Sequence, residues 1–348
     1  MMMDIDTRET RYFEQWPGKD LDVAGLRAAL EEGECLTFNG TKYDMPILAL
    51  ALTPHTMCAD IKDASDRIIL KNMPPWKFYK QHDVTPLDLN HVDICEPAPG
   101  VMVSLKSYAG RLHMPKMQDL PIEPNAEITP EQRVLLRTYC QNDLDVTAAL
   151  YRKIEPQIDL RRQMSAQYGI DLRSKSDAQI AEAVIKHEVG KATGKEIERP
   201  VIAPGTKYRY KAPGFITFET PELKAMFAQV KAVEYVVAEN GSIDIPQELA
   251  DLKIKIGGST YQMGIGGLHS TEKSVAHVAD EECVLVDRDF ASYYPSIILR
   301  CSLYPKHMGK GFLDVYADIV RERLDAKHRV KELKAEIERI EKELANEQ

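Results

Sequence analysis

No two cysteines of this sequence form a C-x-x-C pair: Cys35, Cys58, Cys95, Cys140, Cys283 and Cys301 stand singly. That scatter excludes a zinc ribbon and a disulfide frame, and it predicts reduced thiols in a cytoplasmic compartment. No apolar run approaches the ~20 residues needed to span a bilayer, so no membrane is expected among its partners. Met1 to Asp4 carry neither a basic flank nor an apolar core, so no secretory leader is read. There is no G-x-x-x-x-G-K-[ST], which excludes a Walker phosphate loop. An excess of positive charge is missing too, the formal net charge being −9. Taken alone, that balance argues against a nucleic-acid partner. Enzymes that hold metals with carboxylates and confine their basic residues to a groove share it, so local pattern has to decide.

What is present suits a soluble chain of two or more domains: 348 residues, 44% of them hydrophobic and 28% charged. Arg11 to Trp16 reads as a strand stopped by Pro17-Gly18. Asp22 to Glu32 reads as a helix with Val23, Leu26, Ala29 and Leu30 on one face. A short strand, Glu34 to Phe38, leads through Asn39-Gly40 into a helix from Tyr43 to Leu52. From Thr147 to about Ala192 the pattern is helical. Pro200 and Pro204-Gly205 mark a boundary. Lys207, Arg209 and Lys211 then alternate with Tyr208 and Tyr210, which on a strand gives either a phosphate-binding face or an exposed amphipathic edge. Lys253 to Ser270 reads as a hairpin with a glycine-rich loop. Phe312 to Gln348 is one long helix, with Val330, Leu333, Ile337, Ile340 and Leu344 in alternating three- and four-residue steps.

The most specific stretch is Val284-Leu285-Val286-Asp287-Arg288-Asp289-Phe290-Ala291-Ser292-Tyr293-Tyr294-Pro295-Ser296-Ile297-Ile298. An apolar β-forming run delivers acids to a strand end, and an aromatic, serine-containing turn follows. It resembles motif A of the family B DNA polymerases, D-F-x-S-L-Y-P-S-I-I, with Tyr293 in place of Leu. Phe38-Asn39-Gly40-Thr41-Lys42-Tyr43-Asp44 resembles the second exonuclease motif of proofreading polymerases, N-G-x-x-F/Y-D. Tyr139 and Asp143 share a helix face and resemble the third, Y-x-x-x-D. The three occur in the family's order. Ser104 to Leu112 resembles the connecting region of phage-type exonuclease domains, and Gly266-Gly267 the Gly-Gly loop before motif A.

The resemblance implies an α/β chain in three parts. Residues 1–195 would form a ribonuclease H-like 3′–5′ exonuclease domain, a mixed sheet with helices, probing a frayed DNA end. Residues 196–280 would form a β-rich linker with the Gly-Gly loop. Residues 281–348 would form a partial palm with motif A and a first fingers helix. It implies Mg2+ in two-metal sites, and primer–template DNA and deoxynucleoside triphosphates as partners. Asp289 and the Phe290 carbonyl would hold metal in the palm. Ser292, Tyr293 and Tyr294 would contact nucleotide, with Arg321, Arg323 and Lys327 facing it from the long helix. Asp44 and Asp143 would be exonuclease metal ligands and Tyr139 would orient water. Asn39, Tyr43, Gly266 and Gly267 would touch DNA.

Motif B, K-x-x-x-N-S-x-Y-G, and motif C, Y-G-D-T-D-S, do not occur in this sequence. The chain is therefore expected to be an N-terminal fragment, or half of a split polymerase completed by a second polypeptide. Two registers are open for its start. Asp4-Ile5-Asp6-Thr7 matches the first exonuclease motif, D-I-E-T, which would make Asp4 and Asp6 metal ligands. Alternatively Asp4 to Thr10 is a hairpin turn and the first strand is missing, which fits the few residues before Asp22 better and predicts a metal-poor exonuclease domain. Two rivals stand beside the polymerase reading. One is a separate 3′–5′ exonuclease using Asp4, Asp6, Asp44 and Asp143. The other is a non-catalytic DNA-binding or assembly subunit.

Overall fold

The computed structural model describes residues 1–100, 103–264, 267–274, 276–290 and 292–346. It is an α/β chain that divides into two compact units, Met1–Val184 and Ile185–Gln348. Among the described residues no helix is long and apolar enough to cross a membrane.

The first unit opens with a hairpin of β1 (Met2–Met3) and β2 (Thr10–Arg11), antiparallel. The strand predicted over Arg11 to Trp16 is thus paired only at its start, because β1 offers two residues to pair with; Trp16 instead bridges Lys19. Helix α1 (Val23–Glu31) is capped by the Asp22 carboxylate, which accepts from the Gly25 N–H at 2.9 Å. Strand β3 (Cys35–Thr37) runs into α2 (Asp44–Ala51), then α3 (Cys58–Lys71) and α4 (Pro75–His82). Strand β4 (His91–Asp93) returns beside β3 in parallel, with Leu36 opposite Val92 and Thr37 opposite Asp93. Helix α5 (Leu105–Arg111) precedes the long α6 (Pro130–Tyr168). Its Thr129–Gln132 capping box and Pro130 set the start, and Gly169, at φ +70°, ends it. Helix α7 (Asp177–Thr193) crosses the boundary between units.

Periodicity explains how α6 covers the sheet. Val146, Leu150, Ile154 and Ile158 recur along one stripe and are buried. The last three pack with Val92, Ile94, Ala98 and Tyr108 in one cluster, with Leu36 and Phe38 at its margin. A second cluster joins Leu50, Ala64, Met73 and Phe78 across α2, α3 and α4. The hairpin is tied to α6 by polar contacts. Arg137 grips Glu14, Thr10 bonds Gln141 at 3.1 Å, and Arg133 lies 4.1 Å over the Trp16 ring.

In the second unit β5 (Lys207–Arg209) pairs antiparallel with β6 (Glu234–Val236), with α8 (Pro221–Ala232) between them in sequence. Helix α9 (Gln247–Ala250) leads to a meander of β7 (Lys253–Ile256), β8 (Ser259–Gly264) and β9 (Gly267–Ser270). Helices α10 (Tyr293–Arg300) and α11 (Gly311–Asn346) follow. The strand predicted at Val284–Val286 is not formed; all three side chains are exposed. A strand needs a hydrogen-bonding neighbour, and among the described residues none lies alongside this run.

Phe78 is fully buried, its ring packed against Tyr79 and His82. Phe78→Ala is expected to cost about 3–5 kcal/mol, whereas Leu70→Ala, on the exposed side of α3, should stay within about 0.5 kcal/mol. Urea denaturation midpoints of the two variants check this.

Candidate functional site

The β3–α2 junction is built by an acid that no motif points to. Asp93 ends β4, and it is 4% exposed. Its carboxylate accepts the backbone N–H groups of Asn39 at 2.8 Å, Thr41 at 2.9 Å and Cys95 at 3.0 Å. The Asp93 N–H in turn donates to Ser174 Oγ at 2.9 Å. These bonds hold Asn39 in the left-handed region, at φ 63°. Gly40 follows because a Cβ there would lie 2.2 Å from Thr37 Oγ1. The turn then closes by Met45 N–H to Gly40 O at 2.8 Å, and Asp44 becomes the first residue of α2. The Tyr43 hydroxyl is directed to Ser65 Oγ, 2.8 Å away.

Asp44 is partly buried, and its pKa is raised to about 6. Desolvation is the main cause and the Asp93 charge the second; the chain's amino group opposes them weakly. The result is a carboxyl that is costly to ionise without a cation beside it.

Tyr139 and Asp143 lie on α6, continuing the stripe of Val146, Leu150 and Ile154 toward the helix start. Their side chains interact electrostatically, each affecting the other's titration. Burial first, and then the Asp143 charge, push the Tyr139 phenol up. Burial raises Asp143 and Tyr139 partly offsets it. Asp143 is not among the charges acting on Asp44, nor Asp44 among those acting on Asp143.

Asp4 and Asp6 lie in the exposed β1–β2 turn. Asp4 Oδ1 accepts from the N–H groups of Asp6 at 3.0 Å and Thr7 at 2.7 Å, which lowers the Asp4 pKa. Asp4 N–H to Glu9 O at 2.9 Å and Arg8 N–H to Asp4 O at 3.0 Å close the hairpin. Of the two registers, the structure adopts the hairpin.

In the second unit Asp289 lies in an exposed, extended segment after Val284–Val286. Phe290, Tyr293 and Tyr294 form an exposed aromatic run, with ring centroids 6.0 Å and 5.4 Å apart in succession. Ser292 takes φ 53° and caps α10. Arg323 of α11 donates to Ser292 Oγ at 3.3 Å, so two of the predicted nucleotide-binding residues meet. Arg321 is paired with Asp318 at 2.7 Å on the same helix, and Lys327 is exposed. Gly267, at φ +137°, starts β9; Gly266 lies outside the described residues. Lys207 and Arg209 both reach Glu234 across the β5–β6 pair, at 2.9 Å and 2.8 Å, so their charge is met within the unit.

Among the described residues no group of three or more His, Cys, Asp or Glu converges as a metal-binding set. Two surface cavities of about 310 and 460 Å3 are not lined by any predicted site residue.

The raised Asp44 pKa has a signed consequence. The unfolded chain releases this proton near the ordinary value of 3.8, whereas the folded chain keeps it up to about pH 6. The folded state therefore binds more protons in that window, and stability falls as pH rises through it. Asp44→Asn should stabilise the chain by a few kcal/mol near neutral pH and change little near about pH 4, as read from urea midpoints across that range. Asp93→Asn should lower the Asp44 titration midpoint, measured by carbon-detected NMR of its carboxyl.

No known protein family matches this sequence, and no curated protein and no solved structure matches it.

Proposed function

We propose that this chain is the exonuclease-like and motif A portion of a phage-like family B DNA polymerase, acting in DNA replication. Its partners in that reading are primer–template DNA and deoxynucleoside triphosphates, with Mg2+ as the ion. The observation that carries the reading is order. Asn39-Gly40 with Asp44, Tyr139 with Asp143, and Asp289 through Pro295 follow one another in a single chain. The first two sets belong to one compact unit with a parallel strand pair at its core.

Local chemistry supports it. Asp44, desolvated beside the Asp93 charge, is a hard oxygen donor whose ionisation a divalent cation would favour. Tyr139, one helical turn from Asp143 on α6, is a hydroxyl that can orient a water. Asp289 and the Phe290 carbonyl lie in an open segment beside the aromatic run, and Ser292 and Arg323 present a hydroxyl and a cation together. Bound Mg2+ would supply charge neutralisation of phosphate oxygens and activation of an attacking hydroxyl. The residues of motifs B and C come from outside this sequence. In this reading they are supplied either by further chain of the same protein or by a second polypeptide.

Of the other readings, the separate exonuclease is disfavoured, because Asp4 spends its carboxylate on the N–H groups of its own turn. The assembly-subunit reading draws on the exposed apolar seam of α11.

The test is primer extension with Mg2+ and all four nucleotides. The full chain alone should be inactive. Mixed with a polypeptide bearing motifs B and C of a phage family B polymerase, it should extend the primer, and Asp289→Ala should reduce extension to background. If Asp289→Ala extends as well as wild type, the palm assignment fails. Separately, millimolar Mg2+ should raise the melting temperature of the wild-type chain near neutral pH and leave Asp44→Asn unmoved. An equal response in both removes the exonuclease half of the reading.

A further inference from the structure

The seam of α11 is uncovered along its whole length. Val330, Leu333, Ile337, Ile340 and Leu344 are 51%, 42%, 54%, 45% and 57% exposed, far above what an apolar stripe on a packed helix shows. They fall on the a and d positions of successive heptads, and Ala326 occupies the d position before them. A helix with such a stripe is stabilised by covering it, and the flanking e and g charges select what covers it.

Those flanks are Lys327, Lys334 and Glu341 on one side and Arg329, Glu336 and Glu343 on the other. A parallel, in-register pair of identical helices would set Arg329 against Lys334 and Glu336 against Glu341, each twice over. Every one of these is a like-charge contact. An antiparallel pair centred near Ala335 behaves differently. Ala326 then faces Leu344, Val330 faces Ile340 and Leu333 faces Ile337, which gives six continuous apolar layers by symmetry. Arg329 meets Glu343 and Lys327 meets Glu341 at both ends. Only Lys334 and Glu336, next to the two-fold axis, meet their own counterparts.

We propose that α11 pairs antiparallel with α11 of a second copy of this chain, over Ala326–Leu344. The flanking charges are free to do this. Arg329 is 72% exposed and Glu343 67% exposed, and each is held only by a pair 3.8 Å long within its own helix, to Glu332 and Arg339. Exposed pairs of that kind contribute little. The seam spans under three heptads, so the dimer is a weak, reversible one. This inference is independent of the polymerase reading, since it uses none of the motif residues as its determinants.

Sedimentation equilibrium of the full chain, over a range of concentrations at low salt, tests it. A monomer–dimer equilibrium is expected, weakening as salt rises. Ile337→Lys should abolish it. Arg329→Glu turns two attractive contacts into repulsive ones and should weaken dimerisation roughly fivefold to tenfold. Adding Glu343→Arg to that variant should restore it. In a parallel dimer Arg329→Glu would instead relieve a like-charge contact and tighten association. A tightened dimer, a chain that stays monomeric at every concentration, or a dimer indifferent to Ile337→Lys would each overturn the proposal.

Discussion

One buried carboxylate governs the first unit. Asp93 gathers three backbone N–H groups at the end of β4, two of them from the turn that follows β3. Hydrogen bonds to a charged acceptor contribute more than neutral ones, about 1.5–3 kcal/mol each. Their convergence on one group satisfies its buried oxygens. The same contacts lock the left-handed Asn39, and with it the direction in which α2 departs. Asp44 is therefore placed by Asp93 and also strained electrostatically by it. Asp93 thus helps both to position the candidate ligand and, second to burial, to raise its pKa.

The second unit is governed by a different constraint, apolar surface left uncovered. Val284–Val286, the Phe290–Tyr294 aromatics and the α11 seam are all exposed. Contiguous apolar surface on this scale marks places where other protein surface belongs. Before Asp289, Val284–Val286 has the composition of a strand and, among the described residues, no strand alongside to pair with. On α11 the proposed partner is a helix, and the order of the flanking charges distinguishes between orientations.

The helices were the most legible part of the fold. Helices α1 and α2 start and end within a residue or so of where apolar spacing and capping residues put them. Helix α6 is longer than the run from Thr147 suggested, because its start is set by the Thr129–Gln132 box and Pro130 ahead of the apolar stripe. The strands were less legible. Residues Arg11 to Trp16 and Val284 to Val286 have strand composition, yet pairing ends where the partner ends. The basic stretch Lys207–Lys211 was open between a phosphate face and an edge strand, and Glu234 across the ladder pairs with two of its cations and offsets one of their two charges. Asp93 carried no motif signal, since its partners in the β3–α2 turn, the Asn39 and Thr41 N–H groups, lie more than fifty residues upstream.

By itself the sequence determined local matters: the caps, the apolar stripes, the Asn-Gly turn, the Tyr139–Asp143 spacing and the order of charges along α11. These depend on neighbours within a turn or two of the chain. Only the tertiary structure decided that Asp93 sits behind Asp44 and that the apolar run before Asp289 stands unpaired. Each of those rests on which strand lies beside which, and strand pairing is a property of distant segments that no local pattern encodes. The stretch around Asp289 shows the division most plainly. Its residues carry the family resemblance, while its exposed backbone reflects the neighbours that the fold of this chain does not bring to it.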